Sequence, residues 1–205
     1  MGFFDGELLK TAIPERRTRD DDSLDAGILR ITKTGGEFAT TGALGAADLD
    51  VDDSVLGATT PKPYQLVGFP ATKAWFEDEI ERATYEAMVL NTQSLSQERY
   101  AALGIDDRIH LAVELDQPNV KSDDGSIAPM PHGASGGGIF EPNGRLVAIA
   151  IETDHKAIFG TRVAVFCEIL RNKFPALRSE IPTPTRPITA DSLGRATRPD
   201  LSRLS

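Results

Sequence analysis

Residues 137–152 read "GGIFEPNGRLVAIAIE", two apolar runs separated by the pair Asn143-Gly144. Asparagine and glycine favour a tight turn because both tolerate the left-handed backbone that such turns require. The run from Leu146 to Glu152 is rich in valine and isoleucine, which is typical of a buried strand. We therefore predict a β-hairpin here.

Further short strands are predicted on both sides of this hairpin, each bounded by turn-forming residues. They cover residues 24–31, 64–70, 84–92, 108–115 and 157–165. Helices are predicted at Gln97 to Leu103, with a capping box from Ser94 and an end at Gly104, and near Val165 to Lys173. Residues 73–82 are ambiguous between a helix and a loop. Many short strands between turns indicate a sandwich or a barrel.

The chain changes character after Phe174. Residues 175–205 are rich in proline, threonine, serine and arginine and poor in large apolar side chains. Such a composition buries too little apolar surface to offset the entropy of ordering. The sequence predicts a disordered tail over 175–205.

Composition narrows the range of partners and compartments. The net charge is -9, which argues against a nucleic-acid partner because phosphate binding needs a basic surface. Cys167 is the single cysteine, so no intramolecular disulfide can form and a reducing, cytoplasmic compartment is expected. No stretch approaches the ~20 apolar residues of a membrane helix, and the N-terminus does not read as a signal peptide. We expect no cofactor, no metal and no membrane partner.

The stretch before the hairpin, "MPHGASGGGIF" at Met130 to Phe140, contains the residue types expected of a catalytic site. Ser135 lies among glycines that let the backbone N–H groups of Gly133 and Ser135 point into one concavity. Donors of that kind stabilise the oxyanion of acyl transfer. From the residues alone, the stretch is either a nucleophile site or a glycine-rich turn between strands.

Gly133 to Gly137 resembles the G-x-S-G-G motif of chymotrypsin/trypsin-like serine proteases, and "SLDAGILRI" resembles the motif of their catalytic aspartate, here Asp25. The elements predicted after Ser135 come in that family's order. The resemblance covers about residues 20–174 and is strongest to intracellular bacterial members without disulfides. It implies peptide-bond hydrolysis through an acyl-enzyme, with Ser135 as nucleophile and the N–H groups of Gly133 and Ser135 as oxyanion hole.

The same resemblance implies an all-β fold, a trypsin-like double β-barrel with a short C-terminal helix. Residues 1–60 would be a remnant of the first barrel, and residues 61–174 would form the second barrel. The partner would be a peptide or protein substrate.

The general base is where the chain departs from the family. The family's order is His, Asp, Ser, but His110, His132 and His155 all follow Asp25. His132 is expected to shape the turn and His110 to be a satisfied strand residue, while His155 could line the cleft, so none is assigned as base. We expect the chain alone to be close to inert. A second chain or a missing N-terminal segment would supply the histidine, or the chain is a catalytically dead protease-fold binding or scaffold protein.

Two rival sites are weaker. The motif around Ser135 also satisfies G-x-S-x-G, the nucleophile elbow of α/β-hydrolases, but a helix should then follow the serine and a β-like run does so here. "DLDVDDS" at Asp48 to Ser54 spaces aspartates like a calcium loop, but it lacks the glycine and glutamate at the required positions. It is predicted to be a solvated acidic loop.

Overall fold

The computed structural model describes most of the chain between residues 44 and 189. Backbone and side chains are described for residues 44–69, 87–115, 135–152 and 156–189. Residues 5–10, 27–33, 74–77, 82–85 and 153 are described as strand backbone.

Within these ranges the chain is mostly β, with two α-helices. The strands are β1 Asp5–Lys10, β2 Gly27–Lys33, β3 Pro63–Gly68, β4 Ala74–Glu77, β5 Arg82–Tyr85, β6 Met88–Gln93, β7 His110–Glu114, β8 Gly138–Phe140, β9 Leu146–Thr153 and β10 Ala157–Arg162. The helices are α1 Gln97–Leu103 and α2 Val163–Lys173, with short 3-10 turns at Ala46–Asp48 and Pro175–Leu177.

Six strands form one antiparallel sheet in the order β6-β3-β8-β9-β10-β7. The sheet curls so that its two edge strands approach each other at one end. There Ser94 and Val113 form a bridge, and the Leu95 N–H donates to the Ala112 carbonyl at 3.0 Å. Strands β8, β3, β6 and β7 therefore follow one another in the spatial order 4-1-2-3 of a Greek key. The prediction of a β-rich, barrel-like fold is confirmed at this level.

The remaining four strands form two separate two-stranded ribbons, β1 with β2 and β4 with β5. Strand β2 overlaps the strand predicted at 24–31, whereas β1 has no counterpart in the sequence prediction. The helix or loop predicted over 73–82 is wrong for 74–77, which pair with 82–85. Aromatic residues such as Trp75 and Phe76 favour a pleated strand when a partner strand is present.

The predicted hairpin is confirmed as β8 and β9. Its turn begins at Glu141, whose carbonyl accepts the Gly144 N–H at 2.9 Å. Gly144 has a φ of 86°, the left-handed conformation that favours glycine. The Asn143 side chain supports the turn by accepting the Arg145 N–H at 3.0 Å.

Helix α1 has the predicted bounds but a different cap. Its N-cap is Ser96, whose hydroxyl accepts the Arg99 N–H, while Ser94 pairs with the sheet edge instead. Gly104 ends the helix in the left-handed conformation, as predicted.

The core fills the interior of the curled sheet. Its largest members are fully buried apolar side chains contributed by five of the six strands: Tyr64, Leu66, Met88, Leu90, Leu111, Ile139, Ile158 and Phe159. A second, smaller cluster lies under helix α2 and joins Ile109, Ala164 and Val165 to Ile188.

Ile188 shows that the predicted disordered tail is wrong for residues 175–189. These residues are ordered, and Ile188 is 5% exposed. A single aliphatic side chain among prolines gives no periodic signal, so composition alone could not reveal its packing. Residues 190–205 lie outside the described part of the chain.

Candidate functional site

Ser135 lies on the surface immediately before β8. Its hydroxyl donates a hydrogen bond to the Ile151 carbonyl at 3.0 Å. Gly136 follows with a φ of 90°, a conformation that a residue with a Cβ adopts only with strain. The Gly136 N–H donates to the Ala150 carbonyl at 2.7 Å, and the Ala150 N–H donates to the Gly137 carbonyl at 2.8 Å. The glycines thus extend the pairing of β8 with β9 and hold Ser135 beside Ile151.

An open groove of about 310 Å³ runs past Ser135. Glycine backbone forms one part of its lining, and three apolar side chains form the rest: Val67, Phe69 and Phe140. Phe69 is 57% exposed, so its ring adds apolar surface to the groove. The groove therefore offers a serine hydroxyl next to an apolar surface.

Gly138 keeps this surface open. A Cβ at Gly138 would lie 2.5 Å from Phe140 Cε2 and 2.9 Å from Leu146 Cδ1. Any larger residue would displace the Phe140 ring into the groove or distort the strand.

The chemistry of Ser135 is incomplete in this arrangement. A serine hydroxyl becomes a strong nucleophile when a neighbouring base takes its proton. Ile151 offers a carbonyl oxygen, which orients the hydroxyl but cannot serve as that base. Among the described residues that line the groove, none is titratable.

Two of the predicted site residues, Asp25 and Gly133, lie outside the described residues, as do His132 and His155. The triad acid and the second oxyanion donor therefore stay predictions. Ser135 is the one member of the predicted set whose surroundings the structure describes.

His110 is described, and it is buried in β7 at 1% exposure. Strands β9 and β10 separate β7 from β8, which places His110 roughly 14 Å from β8 along the sheet. The ring lies beside the Gly160 backbone of β10, so His110 is a buried strand residue, and its hydrogen bonding stays a prediction. Burial lowers the pKa of His110 to about 4, with the Arg162 charge adding to the effect and with the Asp106 charge and the Gly160 backbone opposing it. His110 is thus a neutral core residue, not the base for Ser135.

Sequence reasoning missed a cluster of buried charges at the opposite end of β9, here called the charge cage: Asp53, Asp107 and Arg162, with Lys62 and Tyr64 beside them. Arg162 forms ion pairs with Asp53 at 2.7 Å and with Asp107 at 2.5 Å, and all three side chains are at most 3% exposed. Lys62 forms a further ion pair with Asp53, and the Tyr64 hydroxyl donates to it at 2.8 Å.

The cage determines how its members ionise. Burial alone would raise the pKa of Asp53, but the charge of Arg162 and the hydrogen bonds from Lys62, Arg162 and Tyr64 outweigh burial and leave that pKa below its usual value. Burial and the Asp53 charge raise the pKa of Tyr64. Asp53 belongs to the stretch predicted as a solvated acidic loop, and that prediction is wrong for Asp53. The sequence does show an unusual density of aspartates here, four in six residues. Nothing in the local sequence shows that Asp53 is the one that is buried.

The described residues contain no group of three or more His, Cys, Asp or Glu side chains placed to hold a metal ion. The helices among them are too short or too polar to cross a bilayer.

Comparison with known proteins adds no relative: no protein-family model matches the chain, and no curated protein matches it either.

Proposed function

We propose that this chain carries the nucleophile-bearing barrel of a trypsin-like serine endopeptidase and is inactive by itself. The observation that carries the proposal is Ser135, exposed at an open groove on a glycine turn that leads directly into β8. The sequence motif around it and the succession of β8, β9, β10 and α2 after it support the same reading.

In the proposed reaction, Ser135 Oγ forms a bond to the peptide carbonyl carbon, the C–N bond breaks, and the serine proton ends on the leaving amine. Water then hydrolyses the acyl-enzyme. The N–H groups of Gly133 and Ser135 would hold the oxyanion, and Asp25 would orient a histidine. Before attack, the hydroxyl must exchange its bond to the Ile151 carbonyl for one to the base.

The proposed enzyme needs a general base that the described lining of the groove does not contain. No described residue of the groove can accept the serine proton, and none of the chain's histidines precedes Asp25. In the proposed enzyme, a second chain or a segment outside these 205 residues would supply that histidine. Loss of one triad member costs several orders of magnitude in rate.

A catalytically dead binding protein is the second candidate function. The hydrogen bond from Ser135 to a carbonyl favours it, because this bond satisfies the hydroxyl without any base. In that case the groove between Val67, Phe69 and Phe140 would bind a peptide without cutting it.

An added base distinguishes the two candidate functions, the incomplete protease and the binding protein. The purified chain is incubated with a fluorophosphonate probe, with and without imidazole, and the labelled residue is identified by peptide mass. Since imidazole can act as a free general base, we expect slow labelling at Ser135 that imidazole accelerates and Ser135→Ala abolishes.

The matched control is Ser179→Ala, which removes an exposed serine outside the groove and should label like the unmodified chain. No labelling at Ser135 with imidazole present would favour the binding protein. Rapid cleavage of casein by the chain alone, lost in Ser135→Ala, would contradict the proposed inactivity.

A further inference from the structure

Residues 182–189, here called the strap, run across the end of the sheet that holds the charge cage. Asp52 Oδ1 accepts two hydrogen bonds from the strap, one from the Thr185 N–H at 2.6 Å and one from its hydroxyl at 2.8 Å. Asp52 is 133 positions from Thr185 in sequence, so the contact is purely tertiary.

Arg186 connects the strap to the charge cage. Its guanidinium pairs with Asp107 at 3.0 Å and donates to the Asp53 carbonyl at 3.3 Å. The Arg186 side chain remains 34% exposed, whereas that of Asp107 is 1% exposed. The strap thus places a half-exposed cation over a buried carboxylate.

Ile188 supplies the apolar contact. It lies 5% exposed against Ile109, Ala164 and Val165, all of which are at most 4% exposed. An arginine and an isoleucine two positions apart therefore occupy an acidic contact and an apolar contact at the same time.

The strap can leave without breaking the charge cage. Without Arg186, Asp107 keeps its ion pair with Arg162 and its hydrogen bonds from the Ser54 hydroxyl at 2.8 Å and the Val55 N–H at 3.3 Å. The strap adds one partly exposed ion pair, two hydrogen bonds to exposed Asp52, one hydrogen bond to the Asp53 carbonyl, and the buried side chains of Pro184 and Ile188. Segments attached mainly through partly exposed polar contacts open locally while the rest of a fold stays intact.

We propose that Asp52, Asp107, Ile109 and Val165 form a peptide-docking surface that the strap occupies in the free chain. Its exchange partner is an extended segment of another protein that carries an arginine two residues before an aliphatic residue. The arginine of that segment would pair with Asp107, as Arg186 does, and its aliphatic residue would pack against Ile109, as Ile188 does. Prolines at 182, 184 and 187 restrict the strap and lower the entropy cost of ordering it. The inference is independent of any chemistry at Ser135.

Hydrogen exchange on the unmodified chain tests whether the strap opens on its own. The matched pair is the Thr185 amide, bonded to Asp52, and the Arg162 amide, bonded to the Ile109 carbonyl at 2.8 Å. We expect the Thr185 amide to exchange on the order of a hundredfold faster, because it opens locally. Equal protection of the two amides would mean that the strap opens only with the whole fold, which overturns the proposal.

Peptide binding tests whether the surface accepts a ligand in trans. The full chain with Arg186→Ala and Ile188→Ala is titrated into a fluorescent peptide of the strap sequence, PTPTRPIT. A control peptide carries Arg186→Glu. We expect saturable binding of the first peptide, about tenfold weaker binding of the control, and about tenfold weaker binding to the unmodified chain, whose surface is occupied.

Equal binding of both peptides, or none, would overturn the proposal. A concentration-dependent dimer of the unmodified chain that the double variant loses would show that the occupant is a second copy, and this too would overturn the partner-peptide assignment.

Discussion

The two ends of β9 differ in how they are held. Near its first residue, the Asp50 N–H donates to the Leu146 carbonyl at 2.9 Å, and the charge cage and the strap lie beyond it. Near its last residues, β9 pairs with β10 on one side, and glycine backbone and the Ser135 hydroxyl contact it on the other side, beside the open groove. One end concentrates buried charge, and the other leaves a hydroxyl accessible. Stability and candidate chemistry are therefore separable by substitution.

The largest test of this separation is Arg162→Ala at the cage end. It removes the cation that both Asp53 and Asp107 bind, and breaking a buried ion pair costs about 3–5 kcal/mol of unfolding free energy. Urea unfolding should show that loss or a failure to fold. The matched control is Arg108→Ala, which breaks the exposed pair with Asp106 and should cost below about 1 kcal/mol. Similar losses in the two variants would mean that the cage does not stabilise the fold.

Gly160→Ala probes the strand packing between the two ends. The new Cβ would lie 2.8 Å from the Ile149 carbonyl oxygen, a backbone atom that cannot rotate away. Overpacking of this kind costs about 1–3 kcal/mol, measured as a fall in the urea midpoint.

At Gly138→Ala the nearest atom is the edge of the partly exposed Phe140 ring. We expect Gly138→Ala to lose less stability than Gly160→Ala. Because Phe140 lines the groove, we also expect Gly138→Ala to change the binding of ligands in the groove, whereas Gly160→Ala should leave that binding unchanged. The reverse order of losses would show that Phe140 cannot move.

His110 predicts how stability depends on pH. Its folded pKa of about 4 lies below the ordinary value of 6.5 because the ring is buried. The unfolded chain therefore binds more protons between these values, so stability is complete above about pH 6.5 and falls as the pH drops toward 4. Between pH 7.5 and pH 5, His110 should lower the unfolding free energy by up to about 2 kcal/mol.

The variant His110→Leu should lose this part of the pH dependence while Asp106 and Arg162 remain in place. Urea unfolding at the two pH values measures the difference. An unchanged pH slope in the variant would show that another group is responsible.

The smallest effect is expected for Ser135→Ala at the groove end. The variant loses one surface hydrogen bond to the Ile151 carbonyl, and its unfolding free energy should change by less than about 1 kcal/mol. Thermal melts at matched concentration would measure this. A large loss of unfolding free energy would mean that Ser135 is a structural residue. Stability and candidate chemistry could then no longer be assigned to opposite ends of β9.

Local patterns were sufficient for several elements. The β8–β9 hairpin follows from Asn143-Gly144, and the end of α1 follows from Gly104, because such turns depend on residues within a few positions of each other. The predicted N-cap of α1 was wrong, because Ser94 pairs with Val113 across the sheet edge and Ser96 caps the helix. Ser135 was also identifiable, since glycines cluster around it in the chain. Its neighbour Ile151 lies 16 positions away and was not predicted.

Other features depend on distant partners. The strand β4 is ambiguous alone and forms against β5. The charge cage joins Asp53 to Arg162 across 109 positions, and neither residue differs locally from a solvated charge. Composition marks the strap as disordered because it contains one large apolar side chain, and the site that buries this side chain is built elsewhere in the chain.

Short-range chemistry in the amino-acid sequence was thus enough to set the β-rich class, the turn between β8 and β9, the end of α1 at Gly104 and the serine that merits a test. Only tertiary contacts determined that Asp53 is buried, that His110 is a neutral core residue, and that residues 182–189 pack against the fold. The reason is physical: turns and caps are satisfied by neighbours, whereas burial of a charge or an isolated side chain is favourable only when partners far along the chain meet it.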